Sequence, residues 1–244
     1  MRTIAIIQAR MRSMRLPGKV LLPILGRPML ALMIERVERV PSIDRIVVAT
    51  TTDPSCDPIE RLADELEAGC FRGSEDDVLD RVLRAARWAG AELIVEVTGD
   101  CPLIDPATIA RVIETFKAHD VDYCSNVLER TYPRGMDVQV FPLSVLEEVA
   151  RLTEDPVDRE HVSLYIYERP ERFRLKNVAS GLPAEAAMLR LTVDTPEDFV
   201  LVKTIYERLY PRKPDFDLED ILALISREPG LATLNAGTQQ KAVR

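Results

Sequence analysis

Apolar positions run in two rhythms along the first half of the chain, and the rhythms alternate. Residues 4–7 are a continuous apolar, β-branched stretch, the pattern of a strand buried on both faces. Residues 29–40 follow Pro28, a good first helical residue, and read as a helix. The run 45–50 (RIVVAT) predicts a second buried strand, 58–67 a short amphipathic helix and 70–72 a short strand. Ser74 with Asp77 three residues on is close to a capping box, so a helix is expected over 75–89, ended by Gly90. Then come a strand at 93–98, a helix from Asp105-Pro106 to about His119, and a strand at 123–126. Strand and helix alternating at this spacing predict βαβ units and a mostly parallel sheet flanked by helices.

The rhythm breaks between 126 and 178. This stretch holds a Pro-Arg-Gly turn, an alternating strand at 137–141, two helical segments and a strand at 173–178. It reads as an inserted lobe that covers a site or serves as a dimer arm. Regular structure is expected again in a strand at 189–193. Thr195-Pro196-Glu197-Asp198 then opens a helix, and a last helix lies near 218–227. Residues 1–235 read as one domain, and the polar tail 236–244 as disordered.

The 244 residues fit one α/β domain with an appended lobe. A net charge of −8 argues against a protein that coats nucleic acid, and no run approaches the roughly 20 apolar residues of a membrane span. The four cysteines are scattered and the chain has only two histidines, so a zinc site is not expected. Single cysteines in a chain without a signal-peptide pattern point to the cytoplasm.

Against that acidic background, residues 10–19 (RMRSMRLPGK) stand out directly after the first strand. Arg10, Arg12, Arg15 and Lys19 crowd into one loop with Ser13 and Gly18. Like charges so close repel unless an anion joins them, and ligands favour the carboxyl ends of strands in open α/β sheets. Lys19 is suited to a phosphate as a point charge, and Arg10 and Arg15 can grip oxygens bidentately. The loop is neither a Walker A motif nor a Rossmann fingerprint. Thr98-Gly99-Asp100-Cys101-Pro102 places Asp100 at another strand end, where a carboxylate can bind Mg²⁺ or simply make a turn. In Val193-Asp194-Thr195-Pro196, Thr195 supplies the helix cap and leaves Asp194 for other work. One Mg²⁺ held by Asp100 and Asp194 could bridge nucleotide phosphates embraced by Arg10, Arg15 and Lys19.

The segment A-R-x-x-S-x-R-L-P-G-K, here residues 9–19, resembles the signature of the sugar cytidylyltransferases, the group of the CMP-KDO and CMP-sialic acid synthetases. The likeness is greatest to the spore-coat polysaccharide biosynthesis protein F branch. That branch also shows RGSEDDVLDR (72–81), TGDCPLID (98–105), GxDVxVF (135–141), REHV (159–162) and RLTVDTPED (190–198). The resemblance implies a nucleotide-diphospho-sugar transferase fold and Mg²⁺-dependent transfer of CMP from CTP to a sugar or sugar-acid acceptor, with pyrophosphate released, in a homodimer. It implies that Arg10, Ser13, Arg15 and Lys19 hold the CTP phosphates, that Ala9 also belongs to the nucleotide site, that Gly73, Ser74 and Arg81 line the cytidine, and that Asp100 and Asp194 ligate the metal. Lys19, Arg15 and Asp100 become the catalytic candidates. Arg12 stands where relatives usually carry Gly, which predicts strain if the loop needs a positive φ there; Met14 replaces the usual Thr.

The general base stays open. Asp137 could hold sugar hydroxyls, take a proton or make a turn. His161 could titrate near neutral pH or pack. Arg159 could grip an acceptor carboxylate or pair with Glu160. Two rivals to a cytidylyltransferase remain: a glycosyltransferase of the same fold, which would want an Asp-x-Asp after a strand, and a non-catalytic nucleotide-binding module.

Overall fold

The computed structural model describes residues 1–240. In chain order its elements are β1 (Thr3–Gln8), β2 (Pro23–Ile24), β3 (Arg27–Pro28), α1 (Met29–Glu38), β4 (Arg45–Thr51), α2 (Asp57–Glu65), β5 (Gly69–Gly73), α3 (Val78–Ala89) and β6 (Leu93–Thr98). There follow α4 (Pro106–Ala118), β7 (Tyr123–Ser125), β8 (Gln139–Pro142), α5 (Leu143–Leu152), α6 (Pro156–Glu160), α7 (Leu164–Tyr167), β9 (Leu175–Asn177), α8 (Pro196–Leu209) and α9 (Leu218–Arg227).

Seven strands form one sheet in the order β5-β4-β1-β6-β8-β7-β9, and β2 and β3 make a small separate ribbon. Strands β5, β4, β1 and β6 are mutually parallel, whereas β8 pairs antiparallel with both β6 and β7. The period-two alternation of the strands divides the core. Ala5, Ile7, Leu93, Val95 and Val97 face α1, α2 and α4, while Ile4, Ile6 and Ile94 face α3 and α5. A third apolar cluster packs α8 and α9 against Leu191, Val193, Tyr132 and Met136. It carries the C-terminal part of the chain round to the end of the sheet where the loops after β1 and β6 emerge.

Three expectations need correction. The stretch 126–178 does not stand apart from the sheet: its β8 slots between β6 and β7, and its β9 pairs with β7, so these residues widen the sheet. Residues 189–193 form no strand; a lone bridge between Arg134 and Arg190 is all the ladder they find. Leu191 and Val193 are buried all the same, since their apolar run packs into the third cluster. Helix α3 begins one turn later than expected, with Asp77 as its cap accepting from the Asp80 amide at 2.9 Å. Ser74 instead takes the Asp77 amide at 3.0 Å, which closes a turn ahead of the helix.

The start of α8 follows the sequence closely: Thr195 and Asp198 form a reciprocal capping box with Pro196 behind the cap. Beyond Asn235, Thr238 meets the Thr195 hydroxyl at 3.4 Å and Gln240 accepts from Arg190 at 2.5 Å. Residues 241–244 of the expected tail lie outside the described residues. Among the described residues no helix is long and apolar enough to cross a membrane.

Candidate active site

The loop after β1 is folded back on itself by backbone bonds. The amides of Ser13 and Gly18 both donate to the Met11 carbonyl, at 3.1 and 2.9 Å. Gly18 sits at φ 71°, a left-handed conformation that costs glycine nothing. Arg12 is not among the residues with positive φ, so the strain expected from its side chain does not arise. Its guanidinium reaches out to Asp53 at 2.5 Å.

From this closed turn Lys19 enters a short helical turn and is almost buried. Its ammonium is the meeting point of the site. Nζ lies 2.9 Å from Asp100 Oδ2, 2.8 Å from Asp194 Oδ1 and 2.7 Å from the Val193 carbonyl. Burial works to lower the lysine's pKa, but the two carboxylates outweigh it and the net shift is upward. Asp194 shows the mirror image: burial raises it, while Lys19, then Arg190 and Arg15, bring it below the usual carboxylate range. Its second oxygen receives Arg15 at 3.0 Å and Arg190 at 2.6 Å. Asp100 arrives from the turn after β6, where Gly99 is required: a Cβ there would lie 2.7 Å from the Gln8 carbonyl.

Arg190 and Asp198 were not anticipated as part of the site. Asp198 is wholly buried, binds Arg190 Nε at 3.0 Å and accepts from the backbone amides of Asp194 and Thr195. The i,i+4 spacing of 190, 194 and 198 was the available signal. The acids after Pro196 looked like ordinary first-turn residues, and that reading hid it.

A second cluster lies beside the first. Arg10 pairs with Glu75 Oε1 at 2.8 Å. The buried guanidinium of Arg81 donates to the Ser74 and Glu75 carbonyls. Burial, then the neighbouring charge of Arg10, lowers the pKa of Arg81. Gly73 ends β5 below them, buried. Arg159 joins through Asp77, at 2.6 to 2.7 Å, and not through Glu160. Asp137 is bound by Arg130 through two bonds of 2.8 and 3.0 Å. It lies near enough to Cys101 that burial, then Asp100 and then Asp137 push that thiol well up. His161 caps the end of α6. Ala9 is buried directly behind Arg10, and Ser13 is half-buried in the turn.

The structure thus joins Arg15, Lys19, Asp100 and Asp194 directly, and groups Arg10, Gly73, Ser74, Arg81 and Arg159 next to them. No cluster of three or more His, Cys, Asp or Glu ligands occurs among the described residues. Two hard carboxylates aimed at one cationic point do fit a divalent ion, because such ions are commonly held by one or two carboxylates plus substrate phosphates.

The cytidylyltransferase family model matches residues 4–241. The chain belongs to the cytidylyltransferase family. It is therefore a nucleotidyltransferase. The spore coat polysaccharide biosynthesis protein SpsF of Bacillus subtilis is 33% identical over 93% of this chain and 95% of its own length. A 3-deoxy-manno-octulosonate cytidylyltransferase of Mesorhizobium japonicum is 31% identical over 84% of this chain and 99% of its own. Among solved structures, a cytidylyltransferase of Leptospira borgpetersenii superposes with a TM-score of 0.91 at 32% identity, covering 99% of this chain and all of the other.

Proposed function

We propose that this cytidylyltransferase moves CMP from CTP to a sugar acid and releases pyrophosphate, in the synthesis of a surface polysaccharide. The observation that carries the reading is the convergence of Asp100 and Asp194 on Lys19, with Arg15 alongside. An acceptor oxygen attacks the α-phosphorus, its bond to phosphorus forms, the bond to the bridging oxygen breaks, and pyrophosphate leaves with the electron pair. Charge repulsion and positioning dominate such a barrier. Lys19 and Arg15 neutralise the phosphate oxygens, and Arg10 exchanges Glu75 for phosphate. Asp100 and Asp194 would hold Mg²⁺, which supplies further charge neutralisation at the phosphates. Gly73, Ser74 and Arg81 border the base, and Asp137, Arg159 and His161 the acceptor. The sugar-acid class is supported by the name of the Mesorhizobium japonicum relative.

The glycosyltransferase reading loses ground. Asp120 and Asp122 form an Asp-x-Asp, but it precedes β7 and both acids pair with Arg174. Asp217, in Asp215-Phe216-Asp217, is occupied in capping α9. The reading includes a cytoplasmic homodimer, which sedimentation at micromolar concentration tests. Function is tested by measuring pyrophosphate release with each nucleoside triphosphate, Mg²⁺ and a panel of sugar acids. Release that needs both CTP and a sugar acid is expected; release indifferent to the nucleotide overturns the proposal.

A further inference from the structure

One residue in the middle of the sheet is out of place. Strand β6 reads Leu-Ile-Val-Glu-Val-Thr, and its Glu96 is 2% exposed, flanked by β1 and β8. Among the described residues only Gln8 hydrogen-bonds it, donating from Nε2 to Oε1, while Oε2 is buried with no hydrogen-bond partner. An unsatisfied buried polar atom costs on the order of 1–3 kcal/mol, so its presence asks for a reason.

Its surroundings give one. Glu96 pairs in register with Gln139 of β8. Gln139 Oε1 accepts from the Tyr123 hydroxyl at 2.5 Å and from the Ser163 hydroxyl. With the oxygen fixed by two donors, the amide nitrogen of Gln139 is fixed as a donor pointing the other way. Strand parity puts Gln8, Glu96, Thr98 and Gln139 on one face. Gln8, Thr98 and Gln139 are only half-buried, at the carboxyl end of the sheet where the site opens. Ser163 and His161 flank Val162, whose φ of 42° is a strained conformation for a β-branched residue. Such strain, typically about 1–3 kcal/mol, concentrates at ligand sites.

We propose that Glu96 is a positioning residue for the acceptor: it orients Gln8 and, beside the locked Gln139, sets the charge of the surface that an anionic sugar acid meets at this end of the sheet. This rests on the sugar-acid reading above. Burial pushes the Glu96 carboxyl up to about 8, against the weaker pull of Gln8. The groups around it are Gln8 on β1, Gln139 on β8 and the Tyr123 phenol on β7, with Ser163 ahead of α7 donating to the same Gln139 oxygen. Arg81 on α3 is engaged with Ser74 and Glu75. Above pH 8 the side chain ionises and repels a carboxylate-bearing acceptor.

The test is the pH profile of kcat/KM for 3-deoxy-manno-octulosonate at saturating CTP and Mg²⁺, in wild type, Glu96→Gln and Glu96→Ala. Wild type should lose about tenfold per pH unit above pH 8. Glu96→Gln, uncharged and of the same shape, should stay flat over that range. Glu96→Ala should raise the acceptor KM on the order of tenfold, with the KM for CTP unchanged. An identical alkaline fall in Glu96→Gln, or equal rises in both KM values in Glu96→Ala, overturns the positioning role and leaves the cytidylyl-transfer reading standing. A wild type inactive with this acceptor but active with an uncharged sugar overturns the role through its premise. Loss of all CTP-dependent release overturns the function itself.

Discussion

The sheet has two halves that handle charge in opposite ways. At the carboxyl ends of β1 and β6, in the parallel half, charged side chains are joined in ion pairs: Lys19 with Asp100 and Asp194, Arg15 with Asp194, Arg10 with Glu75. Toward β8 and β7 the groups beside the site are mostly amides and hydroxyls, Gln139, Ser163 and Tyr123, next to the buried Glu96 of β6, and the Asp137–Arg130 pair is the charged exception. Under the proposed function the difference suits two substrates: a triphosphate that exchanges internal ion pairs for external ones, and a sugar acid met by mostly neutral donors and acceptors with Arg159 for its carboxylate.

The largest effect should come from the point where the charged half is tied together. Lys19→Met is expected to cut turnover about a thousandfold, since a single preorganised donor at developing charge is commonly worth 10² to 10³. It also leaves two half-buried acids without the cation they share, so a lower melting temperature by circular dichroism should accompany the loss. Asp100→Ala should lower turnover by two or more orders of magnitude while the circular dichroism spectrum stays native. Full activity in that variant would remove Asp100 from the site. Arg159→Ala separates the halves: the acceptor KM should rise about tenfold while the KM for CTP moves less than twofold, measured by pyrophosphate release. If both constants rise together, the guanidinium serves only to hold Asp77 at the start of α3. Smallest of all, Arg12→Gly should change kcat/KM for CTP by no more than about threefold, because its solvent-facing pair with Asp53 is worth little.

The parallel half was largely legible in the sequence because its signals are local. An apolar run bounded by polar turns fixed β6 residue for residue, and α9 came out the same way. What escaped notice depends on partners far along the chain. The run 189–193 has the composition of a strand, yet a strand also needs a continuous neighbour, and this one finds a single bridge to Arg134 and one backbone bond from Val193 to Asp100. Residues 75–76 looked helical, but the Ser74 and Glu75 carbonyls and the Glu75 carboxylate are taken up by Arg10 and Arg81. Arg190 and Asp198 were invisible as site residues because their role lies in steadying Asp194, and a helix cap already explained the acids. Glu96 showed in the text as one acid in an apolar strand, without any sign of what attends it.

The order of strands has a consequence for how the protein is made. β8 lies between β6 and β7 but is translated after both. Until residues 139–142 leave the ribosome, one flank of β6 exposes a row of unpaired peptide groups along an apolar ribbon, an edge that invites intermolecular pairing. A fragment ending before residue 139 should therefore aggregate on expression, and extension through the β8 residues should be needed to rescue its solubility.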